Sequence, residues 1–193
     1  EKNTKSGIYY SGNAGGTALN NICRANVWCG IVVFDTAIPT LEKNTCEKNA
    51  VQGIAYIGSA GGTARNNICR GNTWSGIAAF DKATPILEEN TCEDNRKYGI
   101  YYGGDAGGTA RKNICQGNKD CGIAVFQRGA PTLKENTCEN NTIHGIYYSD
   151  NAGGTARKNI CRANTWSGIA AIGKAAPTLE ENTCENNAEH GIY

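Results

Sequence analysis

One spacing constrains this chain more than any other feature. Glycine recurs at 7, 30, 53, 76, 99, 122, 145, 168 and 191, always 23 residues apart, and isoleucine follows each one. With that glycine as position 1, position 15 is asparagine from Asn21 to Asn182 and position 17 is cysteine from Cys23 to Cys184. Position 20 is asparagine again, from Asn26 to Asn187. A unit this short cannot bury its own apolar face and must stack on its neighbours. The units are rich in Gly, Asn and Thr, which form helices poorly. Their short apolar runs, such as Gly30-Ile-Val-Val-Phe34, are β-branched and bounded by glycine, as strands are. The reading is an all-β parallel solenoid of about eight coils, a rod on the order of 40 Å long at a coil spacing of roughly 4.8 Å.

A second period of 46 lies over the first. Odd coils read Gly-Gly-Thr-Ala, as at 15–18, and even coils carry a proline instead, at Pro39, Pro85, Pro131 and Pro177. Charge supplies an independent check on the stacking. Position 13 runs Leu19, Glu42, Arg65, Glu88, Arg111, Lys134, Arg157, Glu180, and position 18 runs Arg24, Glu47, Arg70, Glu93, Gln116, Glu139, Arg162, Glu185. Sign alternation from coil to coil is favourable only if residues 23 apart are neighbours. Side chains alternate along a strand, so positions 2 and 4 point inward together. Position 4 is large where position 12 is small, as in Tyr102 with Ala110 and Ala79 with Leu87, which is what close packing requires.

The pattern Pro-Thr-Leu-x-x-Asn-x-Cys-x-x-Asn followed by Gly-Ile, seen in stretches such as Ala176-Pro177-Thr178-Leu179, resembles the right-handed parallel β-helix repeat family. That family includes pectate lyase-like enzymes, carbohydrate-binding and sugar-hydrolase β-helices, and β-helix regions of F-box proteins. The resemblance covers the whole chain and implies a single-stranded right-handed parallel β-helix over 1–193. Glu1-Lys2-Asn3 matches Glu47-Lys48-Asn49, in the middle of a unit, so the expectation is a piece of a longer array. It implies little about function, because one fold hosts unrelated activities. A leucine-rich repeat has a similar period, but its Leu-x-x-Leu-x-Leu pattern is absent.

Candidate functional residues can be weighed against this frame. Enzymes of the resembled family use clustered acidic residues with calcium and a nearby basic residue, or closely grouped aspartates. Here Asp35 and Asp81 share position 6 but lie two coils apart, and no insertion interrupts the array. No catalytic residue, metal or cofactor is therefore expected. The eight cysteines of position 17 read as small buried apolar thiols. Cys29 and Cys121, at position 23, read as exposed thiols in a variable and hence solvent-facing slot shared by His144 and His190. The asparagine rows read as structural ladders.

Aromatic rows give the one functional lead. Position 3 carries Tyr9, Tyr101, Tyr147 and Tyr193, and position 22 carries Trp28, Trp74 and Trp166. Both rows recur every 46 residues, roughly 10 Å of axis, about the length of a disaccharide in an extended polysaccharide. Tyr9, Tyr101, Tyr147, Trp28, Trp74 and Trp166 are thus candidate carbohydrate-binding residues, beside the plainer and preferred reading of turn-covering aromatics repeated by duplication. A threonine row at position 11, broken by Ile86, is thin for an ice-binding face. The net charge of +1 gives no reason to expect nucleic acid, and no apolar run approaches the ~18 residues of a membrane span. The expectation is a non-enzymatic structural or interaction module, with a carbohydrate-binding or carbohydrate-active β-helix as the alternative. Polysaccharide or another protein is the expected partner, and open strand edges make end-to-end self-association an expectation too. Reduced cysteines suit the cytoplasm, whereas members of the resembled family are often secreted.

Overall fold

A computed structural model describes residues 1–193. Each complete 23-residue unit makes one coil with three strands of three residues, and each strand pairs in parallel with its counterpart one coil away. Three eight-stranded parallel sheets result. Sheet A gathers positions 2–4, from Ile8–Tyr10 to Ile169–Ala171; sheet B positions 11–13, from Thr17–Leu19 to Thr178–Glu180; sheet C positions 16–18, from Ile22–Arg24 to Thr183–Glu185. The register is 23 throughout, as in Ile100 beside Ile123 and Cys92 beside Cys115.

Each coil turns three sharp corners in the left-handed backbone region. In the fourth coil these fall at Asp81 (φ 59°), Glu89 (φ 53°) and Asp94 (φ 52°), which are positions 6, 14 and 19. Non-glycine residues seldom adopt this region, with Asn and Asp the usual exceptions, so the corners account for part of the polar composition. The 46-residue period has its own backbone cause at position 10. Gly62 sits there at φ 89°, and a side chain on it would run into the Pro39 carbonyl of the preceding coil. Glycine and proline alternate because one coil needs a positive φ against the fixed ring of the next.

The asparagines at positions 15 and 20 turn inward just past two of these corners and are buried. Each links three coils. The Asn90 amide nitrogen donates to Ala64 O of the coil before (2.9 Å) and to Asn113 Oδ1 of the coil after (3.0 Å). Its own Oδ1 accepts from the backbone N–H (3.0 Å) and side-chain amide (2.9 Å) of Asn67. The core between the sheets holds the invariant isoleucines, the position 17 cysteines and the compensating pairs of positions 4 and 12. Tyr56, Tyr102 and Tyr148 are fully enclosed there, and their hydroxyls meet no protein partner. They act as large fillers opposite alanines.

Outside, the charge rows form ion pairs across coils. Arg65 reaches Glu42 (2.6 Å), Arg162 reaches Glu139 (2.6 Å), and Arg111 bonds Glu88. Lys134, where the alternation breaks, turns to Glu135 of its own coil (3.3 Å). Glu47 is the most enclosed member. It is buried, bridges Arg24 and Arg70, and has Oε2 2.7 Å from Arg70 Nε. The hydrogen bond from Arg70, aided by Arg24, holds its carboxyl below the ordinary glutamate range against the opposing effect of burial. A lowered folded-state pKa means the stabilisation is complete above the unfolded value of about 4.3 and disappears as pH falls through the folded value. Glu47→Gln should therefore lose about 1–3 kcal/mol at pH 7, the usual range for charge-assisted hydrogen bonds. Thermal unfolding followed from pH 7 to pH 3 should show variant and parent converging in acid.

Candidate functional site

The outer face of sheet A is where the aromatics collect, through a pattern spanning two positions. Wherever position 3 is tyrosine, position 5 is small: Tyr9 with Ser11, Tyr101 with Gly103, Tyr147 with Ser149. Wherever position 3 is small or aliphatic, position 5 is bulky: Val32 with Phe34, Ala55 with Ile57, Ala78 with Phe80, Ala124 with Phe126, Ala170 with Ile172. The Tyr101 ring lies over Gly103, where a Cβ would come 2.5 Å from the phenol oxygen. The tyrosines and position 5 residues thus merge into a single apolar row with one large group per coil. Ring centroids are 5.3 Å apart for Phe80 and Tyr101, 5.6 Å for Tyr101 and Phe126, and 5.4 Å for Phe126 and Tyr147. The two-coil recurrence expected from positions 3 and 22 alone is half of this row; the intervening coils are filled.

Position 23 flanks the row and supplies further rings. Tyr98 stacks on Tyr101 (5.5 Å) and approaches Phe126 (5.9 Å). His144 lies parallel to Tyr147 (5.3 Å, 2°) and edge-on to Trp166 (5.6 Å, 88°). Of the residues singled out in the sequence, Tyr101, Tyr147 and Trp166 therefore share one strip with Phe80, Tyr98, Phe126 and His144. Tyr9 and Trp28 line a depression of about 700 Å³ with Phe34 and Ile57, nearer the N-terminus, which reaches the strip at Phe80. Trp74 stands apart, with the Lys97 ammonium 4.5 Å above its ring. Phe34, Phe80, Phe126, Tyr98 and His144 were missed by reading one position at a time. The volume compensation between positions 3 and 5 would have revealed the phenylalanines.

The solvent-facing assignment of position 23 holds at His190 and is overturned in the inner coils. Gln52, Ser75, Ser167 and His144 are buried there, as are Cys29 and Cys121, so neither cysteine is the exposed thiol expected. The slot lies under the outer side chains of positions 22 and 3, and two of its members find partners one coil away. Cys29 Sγ is 3.2 Å from Gln52 Oε1, and the Ser167 backbone N–H donates to His144 Nδ1 (3.3 Å). Burial, reinforced by the Asp120 carboxylate 3.2 Å from its sulfur, pushes the Cys121 thiol well up. Burial lowers the pKa of His144, which keeps its imidazole neutral near pH 7. A protonated thiol beside a neutral ring is a packing arrangement, not an activated nucleophile.

Three further depressions border the strip. One, of about 280 Å³, lies among Tyr98, Asp120, Phe126, His144, Tyr147 and Trp166. The next, of about 420 Å³, continues past Trp166 to Glu189, His190 and Tyr193. On the opposite side, positions 6 and 7 form a wholly polar depression of about 770 Å³ around Asp81, Asp105, Gln127, Arg128, Asp150 and Asn151. Two of the aspartates there cap corners: Asp81 Oδ2 accepts from the Gly58 N–H (3.1 Å) and Asp150 Oδ2 from the Gln127 N–H (3.0 Å); the third, Asp105, pairs with Arg128. No three His, Cys, Asp or Glu side chains converge as a metal site would require. An apolar row edged by hydrogen-bonding groups can hold an extended amphipathic ligand along the axis.

A family model for the right handed beta helix region matches residues 1–69 and 53–193, which together take in the whole chain. The chain belongs to the right-handed β-helix family. Among solved structures, this β-helix is similar to the A-module of the Azotobacter vinelandii mannuronan C-5 epimerase AlgE4, with a TM-score of 0.81, 16% identity, 92% of this chain covered and 55% of that one. It is also similar to the T265N mutant of the periplasmic alginate epimerase AlgG, with a TM-score of 0.67, 17% identity, and 93% and 49% covered. At such identity the likeness concerns the fold alone. The β-helix spans about half the length of these epimerases. No curated protein matches its sequence.

Proposed function

We propose that this β-helix is a non-catalytic interaction module, a rigid scaffold that binds an extended polysaccharide along the outer face of sheet A. The observation that carries the reading is the unbroken row of large apolar groups, one per coil, from Phe80 through Tyr101 and Phe126 to Tyr147. Coil spacing of roughly 4.8 Å is close to the length one pyranose adds to an extended chain, so successive sugar rings meet successive side chains. Hydroxyls at the ring edges meet polar groups on both flanks, Gln127 and Asn151 on one and Asp120 on the other. The names of the structural neighbours, which refer to mannuronan and alginate, fit a carbohydrate ligand class. Chemistry has less to work with, since the buried thiol is protonated, the buried imidazole is neutral, Asp81 and Asp150 serve corners and Asp105 is paired with Arg128.

The test is retention on immobilised glycans. Replacing Tyr101 and Tyr147 together by alanine should weaken retention about 5- to 150-fold, at roughly 0.5–1.5 kcal/mol per aromatic contact. Ile114→Ala, on the exposed face of sheet C, should bind as the parent does. Equal loss in both variants would contradict the placement of the site.

A further inference from the structure

Resting on that reading, we infer that the polysaccharide taken by this face is uncharged, a neutral pyranose polymer, and that the carboxylates along the strip exclude polyuronates. The two depressions beside His144 and Trp166 contain Asp120 and Glu189 and no lysine or arginine. Across the strip, the polar depression contains Asp81, Asp105 and Asp150 against Lys82 and Arg128. Arg128 is already engaged: its Nε lies 2.6 Å from Asp105 Oδ1 and a terminal nitrogen 3.0 Å from Oδ2. Lys97 sits over the Trp74 ring, so Lys82 is left as the one unpaired cation of the depression, against the two carboxylates of Asp81 and Asp150.

A polyuronate presents one carboxylate per ring. Tight recognition of such a row needs guanidinium or ammonium partners at a matching spacing, and this face offers carboxylates instead. Like-charge juxtaposition discriminates strongly against a wrong ligand. A neutral glycan fits the same groups. Its C–H faces cover the aromatic row, and its hydroxyls donate to acceptors. Asp81 and Asp150 each use one carboxylate oxygen for a corner N–H, which leaves the other to accept. His144, held neutral by burial, adds no positive charge. The inference separates this chain by ligand charge from proteins named for alginate whose backbone it shares.

Affinity electrophoresis at about 0.15 M salt, where fields decay within ~8 Å, tests this with hydroxyethylcellulose, alginate and chitosan as probes. Retardation is expected with hydroxyethylcellulose, reduced at least about fivefold by Tyr101→Ala with Tyr147→Ala, and none is expected with alginate. The double variant Asp120→Asn with Asp150→Asn should gain measurable retardation by alginate, and an unchanged circular dichroism spectrum would verify its fold. Stronger retardation by alginate than by hydroxyethylcellulose would overturn the neutral assignment alone. So would retardation only by chitosan that vanishes in 1 M salt. No retardation by any of the three would overturn the polysaccharide reading itself.

Discussion

Asn90→Ala is expected to destabilise the β-helix by about 3–5 kcal/mol, because it strands one buried N–H at roughly 1–3 kcal/mol, removes a second hydrogen bond from a buried carbonyl and leaves a void. The Asn67 backbone N–H loses its acceptor, Asn90 Oδ1, and the Ala64 carbonyl loses a donor. Asn67, Asn90 and Asn113 are all fully buried, so water cannot replace either partner. For a chain of this length the midpoint should fall by roughly 10 °C. Each coil contacts only its neighbours, so the damage should be local. Hydrogen exchange should quicken most in the coils that carry Asn67, Asn90 and Asn113, with the outermost coils less affected. Uniform exchange, or a change under 1 kcal/mol, would show that the ladder is not a main source of cohesion.

Gly122→Ala should cost about 3 kcal/mol or more, at or beyond the upper end for overpacking, since the obstacle is backbone. A Cβ there would lie 2.7 Å from Gly145 O, 2.9 Å from Asn141 Nδ2 and 2.9 Å from Cys138 Cβ. It would push at once on the next coil, an asparagine ladder and the cysteine row. The glycine is therefore required by close approach rather than by an unusual φ. Gly15→Ala is the matched control: nothing lies within 4 Å of the added carbon. There the substitution should be neutral or stabilise by up to about 1 kcal/mol through the unfolded chain. Chemical denaturation of the two variants should give these opposite outcomes, and equal losses would contradict the packing.

Much of this architecture was legible because it is written in strict repetition. Gly122, Asn90 and Cys115 recur without exception, and each is fixed by contact with its own copy one coil away. The exchange of volume between Tyr102 and Ala110 was equally readable, since both face one interior. The exterior was harder. Position 23 varies among Cys29, Gln52, Ser75, Cys121 and His144, and variety suggested solvent. In fact the slot is roofed by neighbouring aromatics and accepts small or planar polar residues beneath them. The aromatic row was half visible in Tyr101 and Tyr147. Its other half, Phe80 and Phe126, needed positions 3 and 5 to be read together, because a tyrosine leaning over Gly103 occupies the space a phenylalanine fills in the next coil. Trp28, Trp74 and Trp166 share a position but not a surroundings, since what flanks them changes from coil to coil.

The proposition beneath all of this is that residues 23 apart are adjacent and that separation along the axis grows linearly with repeat number. Electron paramagnetic resonance between spin labels at the exposed position 21 measures it directly. Labels coupled at Ala50 and Thr142 span four coils, and labels at Ala50 and Thr165 span five. Mean distances near 19 Å and 24 Å, differing by about 4.8 Å, are predicted. Two distances that do not differ by one coil spacing, or a broad distribution for either pair, would contradict the β-helix and the aromatic row built on it.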